Sequence, residues 1–352
     1  LLRCDEGVRM FKRKLYDDLL LWKKEGGRTA LLIEGARRVG KSTLVENFAQ
    51  KEYRSYLLID FSIASEEMKA LFQTYRSDLN QLFFFLTSLT GVELHQRESL
   101  IIFDEVQLFP PARQLIKHLV KDGRYDYIET GSLLSIKQNV QDILLPSEER
   151  ALQMHPLDFE EFCWAVGRED LPPLIHAHFL KKKPLSVLHG SVMKLFRQYL
   201  LVGGMPQAVS AFLQSGSFVE VDRVKRDILH LYRSDIAKFA KGYESKVLRI
   251  FDEIPSQLSK HEKKFSLNSL SKEARFREYE DAFVWLSEAM IVNSCFNASD
   301  PQVGLPLHKD SLSMKLYMAD TGLLLSHAFD EVSGMNQKVA QHIVEDRLEF
   351  NY

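Results

Sequence analysis

Apolar positions along the first part of the chain fall into short, nearly continuous runs separated by stretches with apolar residues at three- and four-residue spacing. Val8, Phe11, Leu15, Leu19 and Trp22 share one helical face over 8–24, and Gly26-Gly27 ends that helix. TALLIEG (29–35) reads as a buried strand and 41–51 as the helix after it. YRSYLLIDF (53–61) predicts a second strand, 66–90 is helical, and SLIIFDE (99–105) predicts a third strand. QLIKHLVKD predicts a helix and YDYIETGS (125–132) a further strand. Such alternation implies a parallel sheet with helices on both faces, and ligands bind such sheets beyond the carboxyl ends of their strands.

After about residue 150 the pattern changes. Residues 156–240 are mostly helical, broken by LPP, KKKP and GGMP. Three helical patterns over 244–295 are followed by strand-like pieces around 291–297 and 313–319. The expected organisation is a sheet domain over 1–150, a helical connector over 151–240, a third domain over 241–330, and the start of a further region over 331–352.

Composition adds mainly exclusions. With 45% hydrophobic and 27% charged residues the chain is of the ordinary globular class. A net charge of −2 supplies no global field toward nucleic acid or an anionic membrane, so any basic surface must be local. Cys4, Cys163 and Cys295 are too dispersed for a disulfide framework or a zinc ribbon, and a reducing cytoplasm is the expected compartment. The longest apolar stretch, 82–92, is too short for a membrane span, and Arg3, Asp5 and Glu6 interrupt any leader-like start. The first residue is not Met, which leaves the true N-terminus open upstream. The histidines form no metal motif: His176 and His178 flank Ala177 near a proline-rich turn, and no HExxH occurs.

The chemistry concentrates in IEGARRVGKSTLV (33–45). Gly35, Ala36, Arg37, Arg38, Val39, Gly40, Lys41 and Ser42 match GxxxxGK[ST] in full, between a predicted strand and a predicted helix. Glycines allow the backbone to turn its N–H groups onto phosphate oxygens, and the helix N-terminus adds partial positive charge. Lys41 reaches the β- and γ-phosphates, the Ser42 hydroxyl coordinates Mg²⁺, and Thr43 continues the cradle. Asp104 and Glu105 end a buried strand; Asp104 is assigned to the metal and Glu105 to the attacking water. Thr130 or Ser132, at the end of the next strand, is a candidate γ-phosphate sensor. Arg37 and Arg38 are expected to divide between phosphate and either solvent or Glu34.

GARRVGKST, LIIFDEVQLFP, ETGSLLSIKQN, ILLPSEER, MHPLDFEEF, YLLVGGMP, LYRSDIAKFA and KLYMADTGLL occur in that order. This ordered set resembles a large family of bacterial and archaeal AAA-type ATPases whose C-terminal half is named only as a domain of unknown function. The resemblance implies an α/β P-loop NTPase core of AAA-like type, then a mainly helical half with a winged-helix-like segment, and usually a nuclease-like domain. That last domain would begin near 349–352, so the expectation is that it is absent here. By the same resemblance Asp104-Glu105 is the Walker B pair, Gln107 belongs to a DE-x-Q signature, and Thr130, Gly131 and Ser132 match the sensor motif.

In the second half, Gly203-Gly204 before Met205-Pro206 reads either as an interhelix turn or as a hinge or close packing against the ATPase domain. Tyr232-Arg233-Ser234-Asp235 is a polar cluster that the reading places facing the nucleotide domain. LDFEEFCW (157–164) reads as a helix packing Phe159, Phe162 and Cys163 inward. Residues 257–277 carry a local excess of Lys and Arg, a candidate contact for DNA or a protein, but the helix that follows holds Glu278, Glu280, Asp281 and Glu288. The expected function is an ATP-binding, Mg²⁺-dependent AAA-type ATPase that couples ATP/ADP exchange to movement of the C-terminal half, without membrane contact and with room for oligomerisation. Its alternative is a nucleotide-gated DNA- or protein-binding switch with negligible turnover. Kinase-like transfer to a small substrate is a weaker third option.

Overall fold

Strands β1 (Ala30–Glu34), β2 (Ser55–Asp60), β3 (Ser99–Asp104), β4 (Asp126–Gly131) and β5 (Glu149–Gln153) form one parallel sheet in the order β2-β3-β4-β1-β5. The computed structural model describes residues 10–131, 148–260, 264–271, 275–300, 304–329 and 337–345. It divides into two units, one spanning Lys12–Met154 and the other made of the residues up to Phe11 together with those from His155 on.

In the first unit, α1 (Leu15–Lys24), α2 (Lys41–Glu52), α3 (Glu66–Thr74), α4 (Leu79–Thr90) and α5 (Pro110–Asp122) alternate with the strands. Every residue of β1, β3 and β4 is buried, as expected of central parallel strands, whereas the edge strands β2 and β5 are partly exposed. One core cluster packs Phe61, Phe72, Phe103 and Phe109 together, with Phe61 and Phe109 stacked at 5.1 Å. The pairing Asp60↔Asp104 and Ile33↔Thr130 brings the polar strand ends to one edge.

The local structure refines the pattern in three places. The helix expected over 8–24 is Leu15–Lys24; Met10–Arg13 have no helical structure, and the Arg13 side chain instead bonds Val39 O. The helical patterns over 66–90 are two helices, divided where the Asp78 carboxylate accepts the Asn80 and Gln81 N–H groups and starts α4. Strand β5 was not foreseen: ERALQ is a half-polar edge segment with no apolar run to announce it.

The second unit contains α6 (Phe159–Ala165), α7 (Leu171–Leu180), α8 (His189–Val202), α9 (Pro206–Ser215), α10 (Phe218–Phe239), α11 (Glu244–Ser259), α12 (Phe276–Glu288), a hairpin of β6 (Val292–Ala298) and β7 (Lys309–Met318), α13 (Thr321–Ala328) and α14 (Gln337–Val344). Asp158 and Glu161 form a reciprocal capping box on α6, which explains the acids of LDFEEF, and Phe162 and Cys163 are buried there. Between α11 and α12 the described residues hold one short turn, Leu267–Ser269, in place of a third full helix. The Phe265 N–H donates to Met314 O, joining this connection to the hairpin.

The Gly-Gly segment is a close-packed crossing inside this unit. A Cβ on Gly204 would lie 2.0 Å from Leu157 O, and one on Gly322 would lie 2.4 Å from Val202 O. The buried Asp320 carboxylate accepts the Gly204 N–H at 2.6 Å and caps α13 through the Leu323 N–H at 2.8 Å. Tyr232 is buried in α10, and Arg233 pairs with Asp252 at 2.7 Å, so this cluster has partners within its own unit.

Candidate functional site

Residues 35–40 form the loop between β1 and α2. Gly40 adopts a left-handed conformation (φ 96°), and so does Arg38 (φ 71°). Gly35 is required by close approach: a Cβ there would stand 2.4 Å from Met154 O, where the chain leaving β5 bonds Glu34 O through the Met154 N–H. Ala36 and Val39 are buried, whereas Arg37, Arg38 and Thr43 are exposed. Lys41 is buried, and its ammonium donates to Gly35 O at 2.9 Å and Ala36 O at 3.0 Å, so it lies folded over the loop.

Across the sheet edge, Asp104 is the meeting point. The Ser42 hydroxyl donates to its Oδ1 at 2.8 Å, and the Thr130 hydroxyl donates to the same oxygen. Glu105, the next residue, is left-handed (φ 52°), and its Oε2 accepts from the Gln107 amide. Ser132, the other sensor candidate, lies outside the described residues, as does most of the segment that follows it.

Burial holds the Lys41 ammonium below its ordinary value; the neighbouring Glu105 and Asp104 carboxylates oppose this, and Arg37 adds to it. The hydroxyl of Ser42 and the carboxylate of Asp104, 2.8 Å apart, are hard oxygen donors suited to Mg²⁺, which takes few protein ligands and fills its shell with phosphates and water. Among the described residues no group of three or more His, Cys, Asp or Glu side chains gathers into a metal cluster.

Two features escaped the sequence reading. Arg13, buried before α1, donates to Val39 O at 3.0 Å and braces the loop from behind. Arg113 of α5 bonds Glu149 at 2.8 Å and stands 3.7 Å from Glu129, so a buried guanidinium bridges two strands one residue from Thr130. Burial pushes the Glu129 carboxyl well above its ordinary value, Glu149 adds to this, and Arg113 opposes it. The amphipathic period of α5 hides Arg113 as an ordinary surface position, and only the sheet order brings Glu149 beside it.

Of the basic stretch 257–277, residues 261–263 and 272–274 lie outside the described residues; Lys260, Lys264, Arg275 and Arg277 are exposed. Glu278, Glu280 and Asp281 are exposed on α12 next to them. Among the described residues no helix is long and apolar enough to cross a membrane.

Residues 27–163 match the family described as AAA domain, and residues 193–335 match a domain of unknown function, DUF8612. No curated protein matches the chain. Among solved structures, the Walker-type ATPase PABY2304 of Pyrococcus abyssi is similar in fold, with TM-score 0.52 and 16% identity, over 92% of this chain and 98% of that one. The RuvB Holliday junction branch migration motor of Thermotoga maritima aligns over 80% of this chain and 89% of its own, at 13% identity and with a TM-score of 0.36. Residues 27–163 thus match an AAA domain that carries the P-loop, and residues 193–335 match a separate domain of unknown function.

Proposed function

We propose that the first unit binds ATP with Mg²⁺ and hydrolyses it to ADP and phosphate. The observation that supports this is the convergence on Asp104 Oδ1 of the Ser42 and Thr130 hydroxyls, from β3, α2 and β4, beside a loop whose lysine rests on its own carbonyls. With nucleotide bound, Lys41 exchanges the Gly35 and Ala36 carbonyls for phosphate oxygens, and the N–H groups of 35–42 face the same charge. Ser42 and Asp104 would hold Mg²⁺, which when bound neutralises charge on the β- and γ-phosphates. Glu105 takes a proton from water as the water oxygen bonds the γ-phosphorus and the bond to the bridging oxygen breaks. Thr130 keeps the Asp104 carboxylate oriented.

Glu105→Gln tests the reading. ATP binding is expected to persist by calorimetry while phosphate release stops; sustained release would remove Glu105 from the water-activating role. A wild-type protein that binds ATP and releases no phosphate, alone or with a partner, would instead favour the nucleotide-gated switch.

The output assigned to the ATPase is movement of the second unit. Its α11, α12 and β6-β7 hairpin supply the winged-helix-like segment, and the 257–277 surface is assigned to a protein partner. The exposed Glu278, Glu280 and Asp281 favour that choice, since they would repel a phosphate backbone. Salt-dependent binding of duplex DNA in anisotropy measurements would reverse that assignment.

A further inference from the structure

Gln107 stands beside Glu105 in a way its place in the sequence leaves unexplained. Val106–Leu108 form a single tight turn, closed by Leu108 N–H to Glu105 O at 3.0 Å and Phe109 N–H to Val106 O at 3.1 Å, before Pro110 and Pro111 begin α5. The turn requires Glu105 to be left-handed, a conformation that costs a non-glycine residue about 1–2 kcal/mol and persists only where the surroundings demand it. Val106 is fully buried, which anchors the turn. Gln107 is buried too, with 5% exposure, and its amide N–H₂ donates to Glu105 Oε2.

A glutamate side chain has three freely rotating bonds and, at a half-exposed position, many orientations. A bond to one carboxylate oxygen removes most of them while leaving the other oxygen for water. The donor matters: an amide fixes the carboxylate without adding a positive charge, whereas a lysine or arginine there would also suppress its readiness to take a proton. We propose that Gln107 is a positioning residue that holds the Glu105 carboxylate in line for the attacking water. This rests on Glu105 being the group that accepts the water's proton.

The test uses the full chain with Gln107→Ala and Gln107→Met; the second keeps length and burial but has no donor. Both are expected to lower kcat for ATP hydrolysis by about tenfold or more, the scale of a misplaced reacting group, with KM and ATP affinity unchanged. Unchanged or increased kcat in a folded Gln107→Met protein overturns the proposal. Thermal melts of each variant show whether the fold is intact, and if Gln107→Ala melts early, Gln107→Met decides. The two readings fail separately. Turnover that survives Glu105→Gln refutes the role of Glu105. Turnover lost in Glu105→Gln but kept in Gln107→Met refutes only the role of Gln107.

Discussion

Lys41→Met separates what the lysine does for the fold from what it does for the ligand. In the loop the ammonium makes two hydrogen bonds, to Gly35 O and Ala36 O. Each bond to a charged donor contributes about 1.5–3 kcal/mol, but desolvating the buried ammonium costs several kcal/mol, so the two largely cancel. Methionine has similar length and no charge, so the variant is expected to fold with stability within about 1–2 kcal/mol of the parent. The difference appears with ATP and Mg²⁺. At a ligand concentration of about 100 Kd the parent gains about 2.7 kcal/mol, which raises Tm by about 5–10 °C for a unit of this size. The variant is expected to gain none.

The pH dependence adds a second check. The folded pKa of Lys41 lies below its ordinary 10.5, so between those two values the unfolded chain binds more protons than the folded one. Stability of the parent relative to Lys41→Met therefore rises as pH rises through that window. Differential scanning fluorimetry across neutral to alkaline pH, with and without ATP, measures both effects. An ATP-dependent Tm shift that survives in Lys41→Met refutes the phosphate role. Destabilisation above about 3 kcal/mol without ATP refutes the cancellation of hydrogen bonding by desolvation.

Gly35→Ala must move the chain after β5, since the new Cβ would lie 2.4 Å from Met154 O; chemical denaturation should show a loss of about 1–3 kcal/mol even without nucleotide. Glu129→Gln bears on the buried carboxylate beside Arg113 and Glu149. Its raised folded pKa means the parent loses stability as pH rises from the ordinary 4.5 through the folded value, and urea melts of the variant should lack that decline. In the second unit, Asp320→Ala removes acceptors from both the Gly204 and Leu323 N–H groups, with an expected cost of about 2 kcal/mol or more by urea melt. Gly204→Ala places a Cβ 2.0 Å from Leu157 O and should be more damaging, at about 3 kcal/mol or above, or fail to yield soluble protein.

Local pattern carried a large share of this protein. The apolar runs at 30–33 and 100–103 became two fully buried strands, because a strand covered on both faces has no polar side to interrupt the run, whereas the equally buried 126–131 carries Asp126, Glu129 and Thr130 inside. The spacing from Gly35 to Ser42 placed a phosphate-type loop between a strand and a helix, since backbone turn, lysine reach and helix start are all short-range requirements. What periodicity could not register is pairing between distant segments. Strand β5 is half-polar, yet it closes the sheet beside β1 and is the reason Gly35 has no side chain. Arg13 reached Val39 O only once the chain before α1 gave up helical structure. Asp320 and Gly204 are far apart in sequence, and their hydrogen bond exists because α8, α9 and α13 cross closely enough to exclude a Cβ. Sequence by itself determined which segments bury a face and where a glycine-bounded loop ending in Lys41 and Ser42 joins a strand to a helix. Tertiary structure decided the sheet order, the buried Arg113 bridge and the Gln107–Glu105 bond, because burial is written in local composition whereas contact is set by long-range packing.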